Sequence, residues 1–230
     1  MTEDTPDYIG HRQRLKQRFL LGEGRDMADY ELLELLLTYA LPRRDVKPLA
    51  KDLIKAFGSF ANVISASEHQ LKKVKGIKDN SVLIFKLIKI ASQRLSWQNL
   101  ASDDVPVLFN TDHLIDYCRA SMAYSEVEEL RIIYLNAKFE VIANEIFARG
   151  TVDAVSFSPR EIVRSALDKN AVGMVLIHNH PSDSVRPSEN DVKLTSLIEE
   201  ACNLVGMKLH DHIIISKSGH YSFAENGFFV

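Results

Sequence analysis

Val172-Gly-Met-Val-Leu-Ile177 followed by His178-Asn-His180-Pro-Ser-Asp-Ser-Val-Arg-Pro-Ser188-Glu-Asn-Asp191 is the stretch that decides how this chain is read. The continuous apolar run from Val172 to Ile177 is the mark of a buried central strand. A polar loop with two prolines follows it. Ser188 then precedes a long amphipathic helix, 188–205, with Leu194, Leu197, Ile198, Ala201 and Leu204 on one face. Two histidines at i and i+2 at a strand end point to the same side. Asp191 falls in the first turn of the helix. Two imidazoles and one carboxylate, with one position left open, is the pattern of a catalytic zinc site, whereas closed structural sites favour cysteines and none is near. Two loop histidines beside a helix cap would be the bland explanation. The combined spacing H-x-H-x7-S-x2-D asks for more than that.

Working outward, Leu130–Leu135 and Glu140–Phe147 read as strands joined at the turn Asn136-Ala-Lys138, and Val152–Phe157 as another strand. Ser158-Pro159-Arg-Glu161 has the signature of a helix start, and that helix should run to about Lys169. Lys208–Ser216 and His220–Phe223 read as closing strands, and Thr111–Ala120 as a short helix. The expectation is a mixed sheet covered by helices over residues 107–230. Residues 1–96 read differently. Leucines recur at helical spacing in Tyr30–Ala40, with Asp26 or Asp29 as candidate cap and Pro42 as the stop. The pattern returns in Lys47–Phe57, which stops at Gly58, and near 67–73 and 81–94. With β-branched alternation scarce, this half is expected to be all-helical, giving an α+β chain. The polar stretch 97–106, ending in Pro106, reads as a linker.

Composition sets outer limits. The chain has 230 residues, 46% hydrophobic and 26% charged, with a net charge of −3. That is ordinary globular composition and excludes a disordered tail or a disulfide-dense mini-protein. The longest apolar candidate, Leu83–Ala91, is broken by Lys86 and Lys89, so no membrane span is expected. Thr2–Asp7 lacks the shape of a signal peptide. Cys118 and Cys202 are far apart and read as reduced cytoplasmic thiols. A cytidine-deaminase type of zinc site would need H-x-E and P-C-x-x-C, and neither is present.

Several segments resemble one family. His178-Asn-His-Pro-Ser182, Pro187-Ser-Glu-Asn-Asp191, Ser158-Pro-Arg-Glu161, Asp211-His-Ile-Ile214, Ser222-Phe-Ala-Glu225 and Leu32-Leu-Glu-Leu-Leu36 are similar to bacterial RadC, within the JAMM or MPN-plus metallohydrolases. Asp183 stands where RadC chains usually carry a glycine. The resemblance implies a zinc hydrolase of peptide or isopeptide bonds, with a protein or peptide substrate and Zn2+ held by His178, His180 and Asp191. It also implies a glutamate base opening a strand of alternating apolar residues, a role that falls on Glu128 in Glu128-Glu-Leu-Arg-Ile-Ile-Tyr-Leu135. Glu129, on the other side of a strand, is a rival, as are Glu145 and Glu161. Ser188 is expected to donate a hydrogen bond to the oxyanion, beside its role as a cap. His210 and His212 read as two same-face strand residues rather than ligands, with a role behind the ligands open to His212 or Asp211.

The segment Leu71-Lys-Lys-Val-Lys-Gly76-Ile77-Lys78 resembles a helix-hairpin-helix, whose backbone N–H groups meet a DNA phosphate. Lys78 occupies the second glycine of that motif, where a glycine would permit positive φ. Lys72, Lys73, Lys75 and Lys78 supply local charge. A DNA-associated accessory protein of repair or recombination, with zinc structural or vestigial, is therefore the alternative to the hydrolase.

Overall fold

The computed structural model describes residues 10–102, 111–150 and 158–229. The strand expected over 152–157 and the later part of the expected linker lie outside these residues. The chain forms two compact units, divided between Ala91 and Ser92.

Every element among the described residues of the first unit is a helix. Its elements are α1 (His11–Gly22), α2 (Asp29–Ala40), α3 (Lys47–Phe57), α4 (Phe60–Ser65), α5 (Glu68–Lys72) and the first part of α6 (Asp79–Ser102). The leucine spacing of α2 buries Leu33 and Leu37 against Leu49 and Leu53 of α3, with Val63, Leu71 and Phe85 completing the core. Ala28, not Asp26 or Asp29, stands at the N-cap of α2. Its N–H is met by the Glu31 carboxylate at 2.9 Å, and Asp29 instead accepts from the backbone N–H of Phe60 at 2.7 Å. Gly58 closes α3 with φ 86°, a conformation that costs other residues energy. Arg12 donates to the carbonyls of Pro42 and Arg44, and Arg18 pairs with Glu31 at 2.7 Å.

Helix α6 corrects the linker reading. It continues to Ser102, through residues read as polar connector. Leu100 is buried in the core of the second unit and Trp97 packs against it, so two apolar side chains three residues apart hold the helix through this polar stretch.

The second unit adds α7 (Thr111–Met122), β1 (Glu129–Leu135), β2 (Val141–Arg149), α8 (Pro159–Asp168), β3 (Gly173–Asn179), α9 (Glu189–Leu204), β4 (Lys208–Ile215) and β5 (His220–Ser222). The described strands form a mixed sheet ordered β2-β1-β3-β4-β5, in which β3 and β4 run parallel and the other pairs antiparallel. Strand alternation sends Ile133, Leu135, Val175 and Ile177 to one face, against α7. It sends Leu130, Ile132, Met174 and Leu176 to the other, against α8 and α9. Among the described residues no helix is long and apolar enough to cross a membrane.

Candidate metal centre

β3 is buried along its whole length, and His178 is its last residue but one. His178 shares the face of Met174 and Leu176, which α9 covers, so its ring points toward the start of that helix. The chain then leaves the sheet, but the N–H of His180 still bonds the carbonyl of Ile215 at 3.0 Å, which ties the loop to β4. Ser188 caps α9 by accepting from the N–H of Asp191 at 3.1 Å, while Oδ2 of Asp191 accepts from the N–H of Ser188 at 2.7 Å. This reciprocal cap fixes the carboxylate.

The three side chains meet. His178 Nε2 and His180 Nε2 are 2.7 Å apart. Oδ1 of Asp191 is 3.2 Å from His178 Nε2, and Oδ2 is 3.4 Å from His180 Nε2. A tetrahedral zinc with ligands at 2.0–2.1 Å would separate its donors by about 3.3 Å. His180 Nδ1 donates to the carbonyl of Ser184 at 2.7 Å, so in the neutral ring its Nε2 is an acceptor. A carboxylate accepts only. Acceptors converging at such distances repel unless a cation lies between them, so the donor set fits a metal ion.

The electrostatics agree. Burial pushes His178 down to about 4, the neutral form that a metal binds. His180 is raised, chiefly by its hydrogen bond with Asp191, and the nearby charge of Glu128 adds to this, so without another cation a proton on Nε2 joins the ring to the carboxylate in the place a metal would take. Burial alone would raise Asp191, but the hydrogen bond from His180, the charge of His178 and the bonds from Ser188 hold it well below the usual carboxylate range.

Glu128 is half-buried and immediately precedes β1. Glu129 occupies the opposite face, buried, where Arg131 donates to it at 2.7 Å. Glu145 lies in a separate polar cluster. Tyr134 and Ser165 donate to it, and Lys169 approaches it at 2.9 Å. Glu161 is exposed in the first turn of α8. Of the four glutamates considered as base, Glu128 is the one whose charge bears on His180.

Sequence reasoning passed over Asn179, the residue between the two histidines. It is fully buried. Its Oδ1 accepts from the N–H of Glu129 at 2.8 Å, and its Nδ2 donates to the carbonyl of Val127 at 3.1 Å. The amide therefore grips the backbone on both sides of Glu128. Strand alternation, which turns Asn179 away from its histidine neighbours, was the one signal available; its partners lie some fifty residues away.

A family model described as a RadC-like JAB domain matches residues 108–228. A UPF0758 protein of Ruegeria pomeroyi is 42% identical over 97% of this chain and 99% of its own length. The chain belongs to the RadC family. A second relative, a UPF0758 protein of Rhodobacter capsulatus, is 43% identical over 93% of this chain and 99% of its own. Against the RadC pattern, the departure at Asp183 resolves simply. Asp183 adopts φ 65°, the left-handed region that a glycine there would serve. Asp and Asn enter this region more readily than most residues. The strained turn is also tied down, because Asp183 Oδ1 accepts from the N–H of Ser218 at 2.8 Å and its carbonyl accepts from the Ser218 hydroxyl at 3.0 Å.

His210 and His212 are not same-face neighbours. A register shift in β4 pairs Met174 with Leu209 but Val175 with Asp211, so His210 is an extra residue and alternation breaks there. His210 packs over Gly173, where an added Cβ would lie 2.5 Å from its ring. His212 faces His178 instead, Nε2 to Nδ1 at 2.8 Å. Asp211 is a buried anchor that accepts from the Ser222 hydroxyl at 2.6 Å and the N–H of Ala224 at 2.9 Å.

Proposed function

We propose that this RadC-family chain is a zinc-dependent hydrolase of the JAMM type that cleaves a peptide or isopeptide bond. The observation that carries this reading is the convergence of two imidazoles and a carboxylate whose donor atoms lie within 4.8 Å of one another. Such a donor set suits zinc, and His178, His180 and Asp191 would hold it with a position open. Bound there, zinc supplies a water whose pKa falls toward about 7 and an electrophile for the scissile carbonyl. Glu128 accepts the proton of the attacking water and returns it to the leaving amine. Its support is the proximity to His180 and the grip of Asn179 on its flanking backbone. Ser188 uses its oxygen as a cap acceptor, which leaves its hydrogen to bond the oxyanion of the tetrahedral intermediate. The site of action is the cytoplasm, in keeping with two unpaired, buried thiols.

The DNA-associated alternative draws on the hairpin. Lys72 there is paired with Glu68 and Asp79, both at 2.8 Å, and α6 opens on Asp79, an anion where a phosphate would dock. Nothing in that arrangement favours it over the hydrolase.

Glu128→Gln tests the proposal, assayed on a panel of peptide and isopeptide substrates. Hydrolysis should fall by about 10²–10⁴-fold, the usual share of a general base. Zinc should stay near one per chain. Full activity would refute the assignment of Glu128. Lost zinc would make Glu128 a ligand and close the open position. The same variant serves as a trap for capturing the substrate, identified by mass spectrometry.

A further inference from the structure

Behind His178 stand two buried polar side chains that the reaction just described does not use. Thr195 lies one turn after Asp191 on α9, and His212, on β4, pairs with Leu176 of β3. Both have no exposed surface. Phe223 stacks on the His212 ring at 5.0 Å.

Their hydrogens can be assigned by counting. Thr195 Oγ1 is 2.6 Å from the carbonyl oxygen of Asp191, which can only accept, so the hydroxyl hydrogen is committed there. His212 Nδ1 is 2.7 Å from the same Oγ1. The hydroxyl has no second hydrogen, so it accepts and Nδ1 donates. A neutral imidazole carries one N–H, which makes His212 Nε2 an acceptor. That acceptor faces His178 Nδ1 at 2.8 Å, so His178 carries its hydrogen on Nδ1. Its Nε2 then presents a lone pair toward His180 and Asp191.

We propose that His212 and Thr195 are positioning residues, a hydrogen-bonded line that locks His178 in the Nδ1–H tautomer and keeps Nε2 open to a metal cation. The line begins at the backbone of Asp191 and ends at His178, so one ligand's helix sets the tautomer of the other ligand. The inference rests on the reading of His178 as a ligand, but the tautomer belongs to the metal-free protein as well. Partners behind a ligating histidine commonly change metal affinity by about 10–100-fold.

Two measurements on the full-length chain test this. The first is the 15N spectrum of the histidine rings in metal-free protein, assigned with His178→Gln and His212→Gln. The hydrogen should sit on Nδ1 of both His178 and His212; a hydrogen on Nε2 of His178 overturns the proposal. The second is titration with Zn2+ alone. Thr195→Val, isosteric and without the hydroxyl, and His212→Leu should each weaken zinc binding by about 10–100-fold. His212→Gln should restore most of it, because a carboxamide can accept from His178 and donate to Thr195. If Leu and Gln weaken binding equally, His212 acts by packing and the proposal is wrong. Unchanged affinity in Thr195→Val is equally against it. If the wild type takes up no zinc while His178 keeps its hydrogen on Nδ1, the metal reading fails and the tautomer line stands.

Discussion

Two aspartates each sit in the first turn of a helix behind a polar loop, and their surroundings differ in one respect. Asp79 opens α6 after the lysine-rich hairpin, and its side chain is 89% exposed. Asp191 lies in the first turn of α9 after the histidine loop, and its side chain is 4% exposed. Asp79 meets Lys72 in water, where such a pair contributes little and is screened by salt. Asp191 meets two imidazoles in a buried pocket, where the same charge raises His180. Density of charge is therefore a poor guide to a site, and convergence of buried acceptors a better one.

The comparison breaks first, if it breaks, at Asn179. At the end of β3 a lost amide leaves the N–H of Glu129 without its partner, while the carbonyl of Val127 keeps the Ser125 hydroxyl. One orphaned buried group costs about 1–3 kcal/mol. Asn179→Leu should lower the stability of the zinc-loaded protein by that order, measured by urea unfolding, and should slow hydrolysis without removing zinc. A change below about 0.5 kcal/mol would put this loop on the same footing as an exposed surface.

Acid should then separate the two units. Burial, aided by Lys208, holds His210 down to about 4 in the folded protein, against about 6.5 when unfolded. Between these values the unfolded state binds more protons, so stability is present above about pH 6.5 and is lost as the pH falls toward 4. His212, held neutral by burial, acts with the same sign, and His180, raised by Asp191, opposes them in part. In the hairpin, Glu68 is lowered to about 2 by bonds from Lys72 and Lys86, so its contribution fades only below the ordinary carboxylate range, and it is fully exposed. Trp97, the single tryptophan, packs in the second unit. In metal-free protein its fluorescence should change at higher pH than the loss of helical ellipticity. Coincident transitions would remove this difference between the units.

The smallest effect is expected at the hairpin. Lys75→Ala with Lys78→Ala should alter stability by no more than about 0.5 kcal/mol and leave zinc binding unchanged. Duplex DNA titrated at two salt concentrations should show no more than the nonspecific range, a Kd of about 10⁻⁴–10⁻⁶ M at physiological salt. Tighter binding that these substitutions abolish would revive the DNA-associated reading.

Burial also explains what could be read from the sequence. The His-His-Asp group was legible because its spacing is local and strand β3 is a continuous apolar run. Helix α4 passed unnoticed, since six residues are too few to display a helical period. The continuation of α6 was hidden in a polar stretch whose two apolar residues, Trp97 and Leu100, find their partners in distant elements. His210 looked like the twin of His212 because a register shift leaves no mark in the alternation of residue types. Asn179 and Thr195 act through hydrogen bonds whose geometry no spacing rule encodes.

Metal content tests the central claim most directly. Purified full-length protein, stripped of metal and titrated with Zn2+, should take up close to one equivalent per chain. X-ray absorption should report two imidazole nitrogens and oxygen ligands, and both Asp191→Asn and His178→Ala should lose the ion. No uptake by the wild type, or full zinc retained by His178→Ala, would contradict the account.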